Sequence, residues 1–516
     1  MRKQSFLQGA LILMIAGLIN RILGFILRII IVRILGDEGL GLFQRIFPLF
    51  MTLLLLSTSG FPVAIAKLIP EKMARKDLQG TYNLLKLSLF FVLSTSTLII
   101  ALILPGARFI STVIYKDSRT LLLILAILPA LLFSSLSSCF NAYFQGLRNM
   151  LPTALAQTTE QASRFIATLV FLILSAPHDV HYRSAGIALG ISVGEMAAFL
   201  LLVILFIQSL FKNYQPGREK DYQRIRPDYR QDFKEITGLA LPITAGRIVH
   251  SLMMNAEAIL IPRQLQLKGF SLTEATSLYG QLSGMAEQLV YLPTVITIAL
   301  TTSLVPTIAH AYARKNFKKI KSNYQDVIRI CSYLGFPLAV IFFRLGPDLT
   351  ELLFAHPQAG SLLAILAFSC PFLYYQQVSN GMLNGLGKPQ LSFINMAIGS
   401  GVKLLGILVL TGPFPGISGP AISISLGIIL SALLNFISIG DNIGYSICIK
   451  NCFLKPLLAS SIIFFALPLL KAFLALLNIH YKISLILLLI ISLSLYIIIM
   501  FGLKAITPED LHRFRS

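Results

Sequence analysis

Apolar runs long enough to cross a bilayer recur along the whole chain, separated by short polar stretches. A helical span needs about 20 mostly apolar residues. Runs of that kind lie at 5–31, 40–66, 83–105, 120–143, 152–176, 184–211, 236–262, 279–305, 328–346, 361–384, 391–411, 417–439, 453–477 and 483–503. They predict an all-α integral membrane protein with about 14 transmembrane helices. None shows the period-two alternation of a membrane barrel strand. The first run is interrupted by arginine, too long for a leader and followed by no small-residue cleavage site, so it reads as a retained first helix.

Two echoes organise these spans into halves. Asn141-Ala-Tyr-Phe-Gln-Gly-Leu-Arg, at the end of span 4, returns as Asn380-Gly-Met-Leu-Asn-Gly-Leu-Gly at the end of span 10. Gly60-Phe-Pro-Val-Ala-Ile-Ala-Lys, ending span 2, returns as Leu304-Val-Pro-Thr-Ile-Ala-His-Ala, ending span 8. Two matches in the same order indicate an internal duplication. An even number of spans per half makes the repeats parallel. The predicted organisation is an N-lobe over 1–211 (spans 1–6), a cytoplasmic linker over 212–235, a C-lobe over 236–440 (spans 7–12), and two appended helices with a tail over 441–516. The last pair has no counterpart in the first half. Its charges, Lys455, Lys471 and Lys482, lie near span ends where they can snorkel.

Composition agrees and adds an orientation. The 516 residues are 55% hydrophobic and only 13% charged, against about a quarter charged in soluble domains. The net charge of +21 would suggest nucleic acid in a soluble protein, but here the positive-inside rule accounts for most of it. The cations cluster in alternate polar segments, notably 67–86, 212–234 and 314–329, which puts both termini in the cytoplasm of a cell whose plasma membrane holds the chain. Cys139, Cys331, Cys370, Cys448 and Cys452 lie in or beside spans with no metal-ligand spacing, and read as small structural residues.

The candidate chemistry lies in the charges within the spans. Gly17, Arg21, Gly24 and Arg28 step by four, three and four, so they form one stripe on the first helix. Both arginines stay charged wherever they sit, and the glycines reduce bulk beside them. Gln157, Glu160 and Arg164 share a stripe in span 5, and Glu195 sits mid-span in span 6. Arg247, His250, Met254 and Glu257 form a stripe in span 7. Span 8 offers Glu287 and Gln288, span 10 Gln376, Gln377, Asn380 and Asn384, and span 11 Lys403. Arg45 is shallow in span 2 and is expected to snorkel to the outer surface. At about 3 kcal/mol each, ten isolated charges would cost about 30 kcal/mol, so pairing and water must offset most of it. Glu160 and Arg164 can pair within their helix at i,i+4. Six basic against four acidic groups leave two surplus positive charges. The charges are either interhelical ion pairs or a site for an anion. No Walker sequence, His/Cys cluster or catalytic triad is present, so the chain reads as a transporter without nucleotide hydrolysis and not as an enzyme.

Asn20-Arg-Ile-Leu-Gly-Phe, Arg33-Ile-Leu-Gly-Asp-Glu-Gly-Leu-Gly-Leu-Phe, Gly60-Phe-Pro-Val-Ala-Ile-Ala-Lys and Tyr143-Phe-Gln-Gly-Leu-Arg-Asn-Met-Leu-Pro-Thr-Ala with Glu160-Gln resemble the stage V sporulation protein B family. That family stands with polysaccharide flippases and MurJ-type lipid II flippases in the multidrug/oligosaccharidyl-lipid/polysaccharide exporter superfamily. The resemblance runs through span 12. It implies two six-helix lobes around a central cavity, with a lipid-facing groove on the two added helices. It further implies that arginines of the first and eighth helices engage the pyrophosphate of a lipid substrate. Arg21 matches the first of these. A second helix-1 arginine of the family falls on Leu27, with Arg28 one residue later, and its acidic–arginine pair falls on Glu287-Gln288.

The combined expectation is a flippase for an undecaprenyl-pyrophosphate-linked precursor, lipid II first. Arg21, Arg28, Arg247, Gly24, His250, Glu287 and Gln288 are the candidates for the substrate, and Glu160, Arg164, Glu195, Glu257 and Lys403 for ion pairing or coupling. No cofactor or metal is expected, and the driving force would be membrane potential, sodium or protons. Expected partners are the lipid-linked sugar, membrane lipids and wall-synthesis glycosyltransferases, with no nucleic acid. Alternatives are a flippase for another lipid-linked oligosaccharide, a cation-coupled drug exporter of the same superfamily, and a non-transporting scaffold for wall or spore-cortex synthesis.

Overall fold

Lipid offers the backbone no hydrogen-bond partners, so a spanning chain must satisfy itself internally, and every regular element among the described residues is helical. The structure is a computed structural model describing residues 6–75, 77–213, 229–444, 448–477 and 479–505. Most of the expected linker, residues 214–228, lies outside these, with the cations Arg218, Lys220, Arg224 and Arg226. Arg2, Lys3, Lys76, Arg513 and Arg515 lie outside them as well.

The helices are α1 (Phe6–Thr58), α2 (Phe61–Ala74), α3 (Leu78–Phe109), α4 (Thr120–Gly146), α5 (Leu151–Leu174), α6 (Val180–Asn213), α7 (Tyr229–Leu267), α8 (Leu272–Tyr279), α9 (Glu287–Tyr291), α10 (Thr294–Ala313), α11 (Phe317–Phe354), α12 (Ala359–Ala367), α13 (Cys370–Gly385), α14 (Pro389–Leu410), α15 (Ser418–Ile443), α16 (Lys455–Leu476) and α17 (Tyr481–Gly502). A π-helical stretch, Gly280–Ala286, joins α8 to α9. Local chemistry sets several starts. Proline stands in the first turn of α2, α5, α13, α14 and α16, where its missing N–H costs nothing. Asp77 caps α3 by accepting from the Gly80 N–H at 2.7 Å, and Asn316 caps α11 through the Lys319 N–H at 3.0 Å.

Among the described residues ten helices are long and apolar enough to cross a membrane, or eleven with the bent pair α12–α13 counted as one span. The difference from the expected count of about 14 lies in three places. α1 holds the first expected span and most of the second, and Gly36, whose φ of 77° and ψ of −174° are not helical, breaks it between them. α5 and α7 carry the polar stripes and are not among the ten.

The chain divides into two compact units: Met1–Ile259 with Leu272–Gly280, and Leu260–Ser271 with Gln281–Ser516. The first unit therefore takes in most of α7 and all of α8, whereas the sequence reading divides the lobes at 212–235. Its core joins α2, α3, α4 and α6 around Phe61, Ile65, Ile69, Leu84, Phe140 and Phe144, with Phe61 stacked on Phe91 at 4.1 Å. α1 packs on α3, α4, α5, α6 and α8. In the second unit α11 packs on α10, α12, α13, α16 and α17, and α14 pairs with α15. Cys139, Cys331, Cys370 and Cys452 are buried free thiols. α16 and α17 expose Phe465, Leu469, Phe473, Ile483 and Ile498, the surface expected of an appended, lipid-facing pair. Their lysines do more than snorkel: Lys471 Nζ lies 2.6 Å from Asp348 Oδ2 of α11, and Lys455 Nζ donates to the Lys504 carbonyl.

The duplication has a packing counterpart inside each unit. A Cβ added to Gly146 would lie 2.8 Å from Ile69 Cβ, and one added to Gly385 would lie 2.9 Å from Ile308 Cβ. One shift of 239 residues carries both partners of the first contact onto the second. It also corrects the register of one sequence echo, since aligning Pro62 with Pro306 is five residues out of step with this contact.

Candidate anion-binding stripe and the charge clusters

The first turns of α1 present two distinct faces. Leu11, Ile15, Leu18, Ile22 and Ile26 are exposed apolar residues, while Leu27 and Ile31 are buried. Arg21, Gly24 and Arg28 lie on neither the exposed apolar stripe nor in the core, and all three are half-buried. At Gly17 an added Cβ would meet no atom within 4 Å, so the stripe borders open space there. Gly24 borders a neighbouring helix. The group that approaches it is Gln161 of α5, whose Nε2 would stand 3.3 Å from an added Cβ. Gly24 therefore lets α5 back the arginine stripe.

α5 also carries Glu160 and Arg164, which form the expected i,i+4 ion pair through Glu160 Oε1 and Arg164 Nη2. Glu195 of α6 joins them, its Oε1 3.6 Å from the same Nη2. What brings it there is a glycine row on α6, Gly186, Gly190 and Gly194. An added Cβ at Gly194 would sit 2.8 Å from the Glu160 carbonyl oxygen and 2.9 Å from Arg164 Cβ. Small residues every fourth position let helix backbones close up in a membrane, and this row was the overlooked sequence signal.

On α7, Ser251 and Asn255 face α1: Ser251 Oγ lies 2.5 Å from Thr52 Oγ1, and Asn255 Nδ2 donates to the Pro48 carbonyl at 3.0 Å. The stripe of Arg247, His250, Met254 and Glu257 is turned about 100° from that face. Arg247 and His250 are exposed and Glu257 is buried. Glu287, Gln288 and Lys403 belong to the second unit. Gln288 Nε2 donates to the Ser283 carbonyl of the π-helical stretch at 3.4 Å. Lys403 lies under Gly427 of α15 as Arg164 lies under Gly194, with an added glycine Cβ 2.8 Å from Lys403 Cβ. The shift of 239 residues that carries Arg164 onto Lys403 puts Gly399 where Glu160 stood.

The strongest charge cluster is one the sequence did not reveal. Arg45 does not snorkel. It is 1% exposed, with Nη1 2.8 Å from Asp117 Oδ2, 3.3 Å from Thr276 Oγ1, and Nη2 2.6 Å from the Tyr115 carbonyl. Arg119 grips Asp117 from the other side through Nε and Nη2, both at 2.9 Å, and bonds Glu38 through Nη1. Burial alone would lower the pKa of the Arg119 guanidinium, but the bonds and charges of Asp117 and Glu38 outweigh it and the pKa ends raised. Burial pushes the Tyr115 phenol above its usual range, with Arg45 working against it. The motif following Gly36 builds this junction. Ser277 Oγ donates to Asp37 Oδ1 at 3.2 Å. An added Cβ at Gly41 would fall 2.1 Å from the Thr276 carbonyl oxygen, so only glycine lets α8 lie this close.

These helices define a multi-pass membrane protein with the fold of MOP-superfamily transporters. The fold resembles that of the lipid II flippase MurJ in an inward closed conformation, with a TM-score of 0.68, 17% identity, and 94% of this chain and 97% of that chain covered. It equally resembles an inward-facing multidrug resistance MATE family transporter of the MOP superfamily, at a TM-score of 0.68 and 16% identity over 82% of this chain and 94% of that one. The chain belongs to the polysaccharide biosynthesis protein family, which it matches over residues 6–311, and residues 283–409 also match the MatE family. Stage V sporulation protein B of Bacillus subtilis (strain 168) is 33% identical over 452 residues, covering 87% of this chain and 86% of that protein. The lipid II flippase MurJ of the same organism is 24% identical over 488 residues, covering 88% and 87%.

Proposed function

We propose that the protein flips an undecaprenyl-pyrophosphate-linked cell-wall precursor, lipid II first, from the inner to the outer leaflet by alternating access, with both termini cytoplasmic. The observation that carries this reading is the α1 stripe: two permanent cations, half-buried, off the apolar face, beside open space at Gly17 and backed by α5. A charge held within a span is costly and by default marks a substrate path. Arg21 and Arg28 engage the pyrophosphate, whose oxygens match the bidentate fork of a guanidinium, and the exposed Arg247 of α7 adds a third cation. The names of the relatives, a sporulation protein and a lipid II flippase, support this substrate class. With Arg45 neutralised by Asp117, one positive charge is left in surplus within the spans, and it favours a reset assisted by an inside-negative membrane potential, worth about 2.3 kcal/mol per charge per 100 mV if the whole field is crossed.

The test is transfer of fluorescent lipid II in vesicles containing the purified protein. Arg21→Ala and Arg28→Ala are expected to elute as folded, monodisperse protein yet lose transfer at least tenfold, about 1.4 kcal/mol. Arg21→Lys is impaired too, because a point ammonium does not reproduce the fork. Full transfer by both alanine variants would remove the pyrophosphate site.

A further inference from the structure

A second site lies on the flank of the first unit, at the ends of three helices. A cavity of about 460 Å³ opens among the first turns of α4, the last turn of α5 and the start of α6, within the size range of small-molecule sites. Its walls are Leu122, Leu125, Phe171, Leu174 and Leu189. Ala185 and Gly186 of α6 complete the lining, and an added Cβ at Gly186 would sit 3.1 Å from Phe171 Cβ, so α5 and α6 close up beside the cavity. Leu125, Leu174 and Tyr182 are 38%, 68% and 48% exposed, so the cavity opens to whatever surrounds these spans, which is lipid.

Its rim is polar and sits where the spans end. Ser175 Oγ donates to the Phe171 carbonyl of its own helix at 2.6 Å. Exposed His178 and Tyr182, with ring centroids 5.6 Å apart, form the rest of the polar edge. Amphipathic rings of this kind favour the level of lipid headgroups. Imidazole N–H and phenol O–H are donors, and a phosphodiester offers only acceptors. Among the described residues no arginine or lysine lines the cavity, which suits a singly charged phosphodiester and not a pyrophosphate.

We infer that this cavity binds one membrane phospholipid, an acyl chain between α4, α5 and α6 and the phosphate at His178 and Tyr182. The charge bias of the chain places this end outside, so the ligand comes from the outer leaflet. The site is separate from the arginine stripe and does not depend on what the stripe carries.

The chain contains no tryptophan, which gives a direct test. Leu125→Trp and Leu174→Trp place a lone indole in the cavity, and Leu98→Trp places one on the exposed face of α3 as a reference. Each is reconstituted in phosphatidylglycerol vesicles with a rising fraction of chain-brominated phosphatidylglycerol. Half-quenching is expected at about tenfold lower mole fraction in the cavity than at Leu98, equivalent to about 1.4 kcal/mol of preference. His178→Ala combined with Tyr182→Phe brings the curves together, and added undecaprenyl phosphate leaves them unchanged. Two results overturn the inference. Identical curves at all three positions would mean ordinary bilayer contact, and relief of quenching by undecaprenyl phosphate would assign the cavity to a polyprenyl chain. The two cavity reporters are independent, so misfolding of one leaves the other to decide.

Discussion

Among the described residues the first unit contains two arginine–carboxylate clusters, and the Arg45–Asp117 pair at the heart of one differs from the other above all in access to water. In the first, Arg45 and Asp117 are 1% and 0% exposed, and Arg119 supplies a second cation to the same carboxylate. In the second, Glu160, Arg164 and Glu195 are 24%, 23% and 10% exposed, and one guanidinium serves two carboxylates, the second at 3.6 Å. A dry ion pair persists only with good geometry and extra hydrogen bonds, and the Arg45 cluster has both. A half-wet pair with an excess of acid can trade a partner for water or a counter-ion at small cost. The same residue types therefore make a fixed joint at one place and an adjustable one at the other.

Breaking the dry cluster gives the largest expected effect. Arg45→Ala leaves the buried Asp117 carboxylate with only the partly exposed Arg119, and a loss of about 3–5 kcal/mol is expected. The readout is the temperature at which detergent-solubilised protein loses its monodisperse elution. Arg45→Lys does not restore it, since three separate acceptors need the guanidinium fork. Removing both charges, with Arg45→Met and Asp117→Leu, recovers part of the loss because no buried charge is orphaned there. An Arg45→Ala protein as stable as the parent would end the distinction between the clusters.

The contrast between these clusters also marks how far the sequence could be read. Stripes within one helix were legible, because spacing alone places Arg21 beside Arg28 and Glu160 beside Arg164. Contacts between helices were not. Asp117 is 72 positions from Arg45 in a short loop, so Arg45 looked shallow and free to snorkel. Glu195 joins Arg164 only because glycines at 186, 190 and 194 set the register of α6 on α5, a signal present in the sequence but meaningful only once its partner helix is known. The family and helical class were legible from motif and hydropathy.

A middle effect comes from that glycine row. Gly194→Leu forces side-chain atoms into the Glu160 carbonyl and Arg164 Cβ, and overpacking of this kind costs about 1–3 kcal/mol. The Glu160–Arg164 pair survives, being internal to α5, while Glu195 is pushed away. Gly427→Leu is the matched control: it imposes the same close contact on Lys403 where the shifted sequence carries no glutamate at position 399. If transport falls in Gly194→Leu far more than in Gly427→Leu at equal loss of stability, the cost lies in the acidic cluster and not in helix packing.

The smallest expected change in stability is the most informative one. In Glu195→Gln the amide keeps the shape and a hydrogen-bonding group, and Arg164 keeps its closer partner, Glu160. The lost interaction is a 3.6 Å contact, and a neutral amide costs less to bury than the buried Glu195 carboxylate, so the two changes offset and the net effect should stay below about 1 kcal/mol. The cluster, however, passes from one net negative charge to none. As a hypothesis, Glu195 is a coupling group that exchanges a proton or a sodium ion during the transport cycle. Glu195→Gln should then fold and bind substrate as before while its transport loses sensitivity to an imposed proton or sodium gradient. Glu160→Gln should retain that sensitivity, because Glu195 remains. A Glu195→Gln protein whose stability fell as far as that of Arg45→Ala would show the second cluster to be a structural joint like the first. Transport by Glu195→Gln that followed imposed gradients as the parent does would remove Glu195 from coupling and leave membrane potential as the driving force.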